Sequence, residues 1–383
     1  MQPPGGLTAG VGVQGLALMR GRVGVVVAGL VALGLLVAGC RTATGAGPPA
    51  ARPLGVVEGF GGSVTGGVGG ETRWVTSLGD GGAGSLREAL EAPGAAWVRF
   101  GVSGRIVLGR PIGVTSDKTV DGRGAAVTIS GDGLRIAEAS NVVVTGLVFA
   151  GGRGDTTDAI SVREGAAGVW IDHCEFSDYD DGLVDITRGA TDVTVSWSRF
   201  TDQDKVMLIN AEGRPERARV TVHHNVFDGT NQRHPRVVGN VEVHAYNNLV
   251  RHWTGYGMQA AGGGVLVSEA NVFDAGSDRR AIKSGGRVSS AGDVTLNGAE
   301  ITADTTRPGP RPDGYHATID TPNHTLQAAV DGEAGPVGAE RPPAAPAARS
   351  EPDATVLLSV LVLVAAGSLW LVHRRGRASR ADE

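Results

Sequence analysis

A short pattern recurs along the middle of this 383-residue chain, and it restricts the fold more than any other feature. Six eight-residue segments align without gaps, starting at Val142, Val169, Val193, Val220, Val241 and Val265, with starts 27, 24, 27, 21 and 24 residues apart. The first four end in Phe149, Phe176, Phe200 and Phe227. Alternating β-branched residues mark strands. No intervening stretch has the length or apolar spacing of a long helix, which argues against a βαβ fold. A β unit every 21–27 residues fits a parallel β-helix, in which each repeat is one coil and each strand pairs with its counterpart about 4.8 Å away. Side chains at matching positions then stack, with the four phenylalanines inside and Asn225 and Asn271 near a turn. The alternative, an antiparallel β-sandwich, does not demand such regular self-similarity. The expected class is therefore all-β, a parallel β-helix.

Earlier coils are expected in Arg105–Leu108, Lys118–Asp121 and Val127–Ile136. The 61 glycines, about 16 % of the chain against about 7 % in ordinary proteins, suit many turns between short strands. A solenoid needs covered ends. Ser85-Leu86-Arg87-Glu88 reads as a capping box opening a short N-terminal helix through Leu90. Leu326–Val337 is expected to cover the C-terminal end. The solenoid domain is placed at 54–338.

Both ends read as addressed to a membrane. Residues 1–40 form an export segment, with Arg20 and Arg22 before an apolar run, Val23–Ala38. Its ending, Val37-Ala38-Gly39-Cys40, resembles a bacterial lipoprotein cleavage box, which would make Cys40 the lipid-bearing N-terminus. A linker, 41–53, follows. After the solenoid come a Pro/Ala-rich spacer at 339–353 and a candidate transmembrane helix at 354–372, whose 19 residues would span about 28 Å. The basic tail, 373–383, then belongs in the cytoplasm. The expected location is the extracellular face of a bacterial cell membrane. A net charge of −5 argues against a general nucleic-acid binder, and two cysteines exclude a disulfide scaffold. A monomer is expected.

The phase of the repeat points to a site. Counted from the first valine of each coil, Asp158 and Asp185 share one offset and Asp181 and Lys205 share another, with Arg233 one residue further on. Equal phase places these groups on one face of the solenoid, in a groove along its axis. Single aspartates would be ordinary solvated turns; five charged residues in phase over four coils are not. Three close carboxylates disfavour one another's ionisation, and a divalent cation relieves that. Oxygen ligands in a loose cluster suit Ca²⁺ better than Zn²⁺. Lys205 is one of only three lysines among 35 basic residues, with Lys118 and Lys283.

The chain resembles the pectate lyases of polysaccharide lyase family 1 over about 280 residues. The likeness begins at Gly59-Phe60-Gly61-Gly62 and Thr65–Gly70 and runs through Gly84–Leu90, Lys118–Gly124 and Val169–His173. Its most specific stretches are Asp181–Ile186, Asp204–Ile209 and Arg233-His234-Pro235-Arg236. The resemblance implies a right-handed single-stranded parallel β-helix and Ca²⁺-dependent β-elimination on polygalacturonate. It implies Asp158, Asp181 and Asp185 as Ca²⁺ ligands and Arg233 as the general base. Lys205 would act in catalysis or on the substrate carboxylate. An arginine base would need neighbouring cations to disfavour its charged form. The family pattern, Arg-x-Pro-x-x-Arg, ends here in Val238, which removes an arginine that helps hold substrate. Arg236 could substitute if the turn is rebuilt.

Other residues carry quieter expectations. Asp172 and His173 are expected to be structural, His223, His224 and His244 to lie in strands, and Cys174 to be a small core residue. Trp253 and Tyr256 either pack or stack on sugar rings. Two alternatives to a pectate lyase stay open: a non-catalytic β-helix binding acidic glycans at the cell surface, and a lyase for esterified pectin. A hydrolase would need a carboxylate pair in the groove.

Overall fold

A computed structural model of the chain describes residues 54–154, 156–212, 217–306 and 315–336. The export segment with Cys40, the linker, the spacer, the segment 354–372 and the basic tail lie outside the described residues. Among those described, no helix is long and apolar enough to cross a membrane.

The chain winds into a right-handed parallel β-helix. Each central coil contributes three strands, one to each face. The first face carries Ile160–Arg163, Val184–Thr187, Leu208–Asn210 and Arg236–Val238. The second carries Ser140–Thr145, Ala167–Asp172, Thr191–Ser196, Ala218–His223 and Val241–Tyr246. The third is a nine-stranded sheet that includes Val148–Gly152, Glu175–Tyr179, Arg199–Thr201 and Val226–Asp228. Toward the C-terminus the first two faces merge into continuous strands, Met258–Glu269 and Arg280–Ala291.

Each repeated segment is two strands and a corner. His173, Trp197, His224, Asn247 and Ala270 hold φ between 46° and 54°, a left-handed bend that turns the second face into the third. Pairing also corrects the alignment. Val142, Val169, Val193 and Val220 are in register, but the next partners are Val243 and Leu266 rather than Val241 and Val265. The shift brings Phe273 into the interior column after Val250. Phe149, Phe176, Phe200 and Phe227 stack at 5.1, 5.0 and 4.8 Å, each contact contributing about 0.5–1.5 kcal/mol beyond burial. Beside them Asn248 joins the expected Asn225 and Asn271 in one buried ladder, the Nδ2 of Asn225 and of Asn248 each donating to the next Oδ1 at 3.0 and 2.9 Å.

The capping helix forms at Leu86–Glu91, with Ser85 Oγ accepting from Glu88 N–H and Glu88 accepting from Gly84 N–H. Leu86 and Leu90 plug the N-terminal end of the core. The C-terminal expectation is corrected. Helix His324–Glu333 lies along the flank of the third face, with Leu326 and Val330 against Val226, Leu249 and Val272. Arg199 and Arg251 both pair with its Asp331.

Residues 54–70 run as a strap across the second face. Its amides donate to outward threonines: Phe60 to Thr221, Gly61 to Thr194 and Gly67 to Thr119, at 2.9–3.0 Å. Gly67 is required there, because a Cβ would fall 2.0 Å from the Ala96 carbonyl oxygen. His244 and His224 bond Tyr315 and Asp320, and Asp172 bonds His173 and Ser196. Asp172, Ser196 and His244 lie on the second face, whereas His173 and His224 sit at its corner to the third, so His224 is not in a strand as expected; none belongs to the groove of the first face. Cys174 is fully buried, and burial pushes its thiol up to about 12.

Candidate active site

The charged residues in phase converge on the first face and the corner leading into it. Lys205 Nζ lies 2.7 Å from Asp181 Oδ1, as their equal offsets anticipated. Asp158 does not stack on Asp185. Its corner, 153–159, is three residues longer than the corresponding turn, 180–183, since Tyr179 pairs with Gly152 but Val184 pairs with Ile160. The extra length slides Asp158 level with Gly182, whose N–H donates to Asp158 Oδ1 at 2.9 Å. The two carboxylates still meet. A Cβ on Gly182 would fall 2.7 Å from Asp158 Oδ1 and 2.8 Å from Asp185 Oδ1. The missing side chain of Gly182 is thus what lets both carboxylates close in.

Electrostatics follow from this crowding. Burial pushes the Asp158 carboxyl up to about 6, with Asp181 adding to the shift and the Gly182 N–H opposing it. Burial, then the nearby Asp158, hold Asp185 well above the ordinary carboxylate value; Leu208 N–H and Arg233 oppose this. Among the described residues no three His, Cys, Asp or Glu side chains close on one point. The donor set nevertheless fits a hard cation, being all oxygen, with two crowded carboxylates and a third, Asp181, turned onto Lys205.

The opposite side of the site is basic. Arg233 holds φ 69°, a left-handed conformation uncommon for a non-glycine residue. It follows Gln232, which bridges to Lys205 in the preceding coil. Arg236 stands in register with Leu208 and Gln259. The Nε atoms of Arg233 and Arg236 are buried without a hydrogen-bond partner. Val238, two residues beyond Arg236, is level with Asn210 and Ala261. Arg236 and Val238 face the same side of the strand, with the buried Val237 between them.

His234 was not singled out by the sequence reading, and it positions this turn. It is fully buried, and burial lowers its pKa to about 3, so it is neutral. Nδ1–H donates to the Gly257 carbonyl at 3.0 Å, leaving Nε2 to accept from the Thr230 hydroxyl at 2.6 Å. The sequence signal available was its place between Arg233 and Pro235. Trp253 and Tyr256 are only 0 % and 7 % exposed, so they pack and do not offer a face to a sugar ring.

Known proteins share this architecture. The sequence profile of the family described as pectate lyase matches residues 108–305. A probable pectate lyase of Solanum lycopersicum is 37 % identical over 213 residues, covering 50 % of this chain and 53 % of that protein. Pectate lyase 1 of Hesperocyparis arizonica is 35 % identical over 248 residues, covering 57 % and 67 %. The chain thus spans about half to two thirds of the length of these curated relatives. Among solved structures, the cedar pollen allergen jun a 1 superposes with a TM-score of 0.68 at 29 % identity, covering 73 % of this chain and 93 % of that one. A pectate lyase from Bacillus sp. N165, solved in complex with trigalacturonate, shares the fold with a TM-score of 0.60 at 22 % identity, covering 73 % and 98 %. The profile spans more than half of the chain and takes in the whole acidic and basic cluster: this chain belongs to the pectate lyase family.

Proposed function

We propose that the chain is a polysaccharide lyase that cleaves polygalacturonate by Ca²⁺-dependent β-elimination. The observation that carries this reading is the convergence of Asp158, Asp181, Asp185, Lys205 and Arg233 in one groove of a pectate lyase-family solenoid. Asp158, Asp181 and Asp185 would hold the cation. Bound there, Ca²⁺ would neutralise the substrate carboxylate and favour the charge that develops beside it. Lys205 would pair with that carboxylate once it leaves Asp181. Arg233 would take the proton from C5. The electron pair of that C–H bond forms the C4–C5 double bond as the C4–O4 bond breaks, and O4 leaves with a proton taken from solvent water, while Arg233 returns the C5 proton to solvent. Arg236 would bind substrate on the same face.

The decisive measurement uses the chain with polygalacturonate, following ultraviolet absorbance of the unsaturated product. A rise with Ca²⁺, lost with EDTA and with Arg233→Ala, supports the reading. No rise from folded, Ca²⁺-binding protein overturns it. Val238 favours a second reading, a glycan-binding β-helix without catalysis, which predicts binding without unsaturated product. Methyl-esterified pectin as the sole productive substrate would instead mark an ester-specific lyase.

We further propose export and tethering at the extracellular face of a bacterial cell membrane. The support is in the sequence: the apolar runs Val23–Ala38 and Ala354–Val372, the Val37–Cys40 box and the arginines after 372. Loss of membrane association on deleting 354–383, combined with Cys40→Ala, is the expected result. Soluble full-length protein would overturn it.

A further inference from the structure

Of the three lysines, two have their ammonium occupied. Lys118 is buried and donates to the carbonyls of Gly94 and Ser116 at 2.6 and 2.9 Å. Lys205 is held by Asp181. Lys283 is exposed, and among the described residues its ammonium has no hydrogen-bonded carboxylate. The nearby carboxylate of Asp278 is gripped by Arg280 at 2.6 and 3.0 Å.

Lys283 also belongs to the groove. Arg236 pairs with Gln259, and Gln259 pairs with Lys283, so the three stand in one column of the first face. The core residues Val237, Ala260 and Ile282 alternate with them, which turns the column outward. Two strand spacings separate Arg236 from Lys283, about 10 Å along the solenoid axis. The underlying strands, Met258–Glu269 and Arg280–Ala291, are the long ones that join two faces and pair with each other. Lys283 Nζ lies 5.6 Å from the ring centroid of Tyr256, and the same ring sits close to Arg233 and Arg236. A cation over an aromatic face is held in place while its outer donors stay free. Tyr256 is thus the buried spacer between the two arginines and the lysine.

We propose that Lys283, steadied by Tyr256, is a carboxylate-binding residue for a uronate unit lying beyond the one at Arg233. The inference rests on the polyuronate reading of the groove. A polymer with one carboxylate per sugar, laid along the axis, meets Arg236 and then Lys283. Lys283 thereby provides a cation to the same polymer two coils beyond the turn that carries Val238. Only chains long enough to reach both positions gain from it.

The test is calorimetric binding of oligogalacturonates, from trimer to hexamer, to the full chain with Ca²⁺ present. The wild type is expected to gain affinity with length. Lys283→Met should remove roughly tenfold of that gain at the hexamer, as expected for loss of a charge-assisted contact. Lys283→Arg should restore it, and Tyr256→Leu should reduce it while Tyr256→Phe keeps it. Steady-state assays should show the loss in KM more than in kcat. Equal length dependence in the wild type and Lys283→Met overturns the inference and leaves the lyase reading standing. An equal loss at every length also overturns it. If the folded wild type neither binds nor cleaves any oligomer, the polyuronate reading falls and the inference falls with it.

Discussion

Lys205 Nζ sits 2.7 Å from Asp181 Oδ1, so the lysine assigned to the substrate is held on a residue assigned to the metal. A cation arriving at Asp181 must displace that ammonium. The displaced ammonium is then free for a sugar carboxylate. Lys205→Met keeps the stem and removes the competitor. Both partners are about one-third exposed, which limits the effect. Calorimetry should report Ca²⁺ affinity roughly two- to tenfold higher, together with loss of lyase activity. Unaltered affinity would mean that Asp181 is not a ligand.

Gly182 provides the space in which Asp158 and Asp185 meet. The atoms a Cβ would strike are carboxylate oxygens at the ends of side chains, and these can swing away. Gly182→Ala should therefore fold with nearly the same Tm and bind Ca²⁺ at least tenfold more weakly. Retained affinity would place the cation elsewhere.

The acidic cluster also predicts a pH dependence. Asp158 has its carboxyl raised from 3.8 to about 6, and Asp185 is raised in the same direction. Their neutral forms favour the fold. That contribution is fully present below the unfolded value of 3.8 and is lost as pH rises through about 6. A bound cation reverses the preference, since it needs the charged forms. The Ca²⁺-induced rise in Tm should thus be larger at pH 7 than at pH 5. An equal rise at both would separate the cation from these carboxylates.

Val238→Arg restores the family pattern at a half-buried position beside Ala261, with Gly262 close by. The substitution should lower KM for polygalacturonate several-fold. If kcat/KM does not move, substrate binding in this groove does not depend on an arginine at position 238.

The asparagine ladder sets the stability of the C-terminal coils. Asn248 accepts from Asn225 N–H and Nδ2–H and donates to Asn271 and to the Val222 carbonyl. Asn248→Ala strands buried partners on both sides, each costing about 1–3 kcal/mol. Denaturant unfolding should show a loss of at least about 2 kcal/mol, and a loss below half of that would show the ladder to be replaceable.

Much of this protein was legible without coordinates. The repeat of β-branched segments and terminal phenylalanines dictates a solenoid, because only stacked coils bury such a pattern. Ser85 and Glu88 announce the capping helix, since their reciprocal bonds are local. Equal offset brought Lys205 onto Asp181 because each stands five residues after a paired phenylalanine, Phe176 and Phe200, ahead of the point where the second corner becomes one residue shorter. Local pattern could not decide register where alternation persists. Val241 and Val243 are two residues apart and lie on the same side of a strand, so either can begin the segment until pairing with Val220 selects Val243. The corner before Ile160 moved Asp158 level with Gly182, a consequence of loop length that only closure of the coil reveals. The helix His324–Glu333 chose a flank because Val226, Leu249 and Val272 form an apolar stripe there, which exists only once three distant coils have stacked. Which residues carry charge and in what rhythm was determined by the sequence; which of them touch was decided by the stacking of coils, because contact between neighbours about 24 residues apart depends on every corner in between.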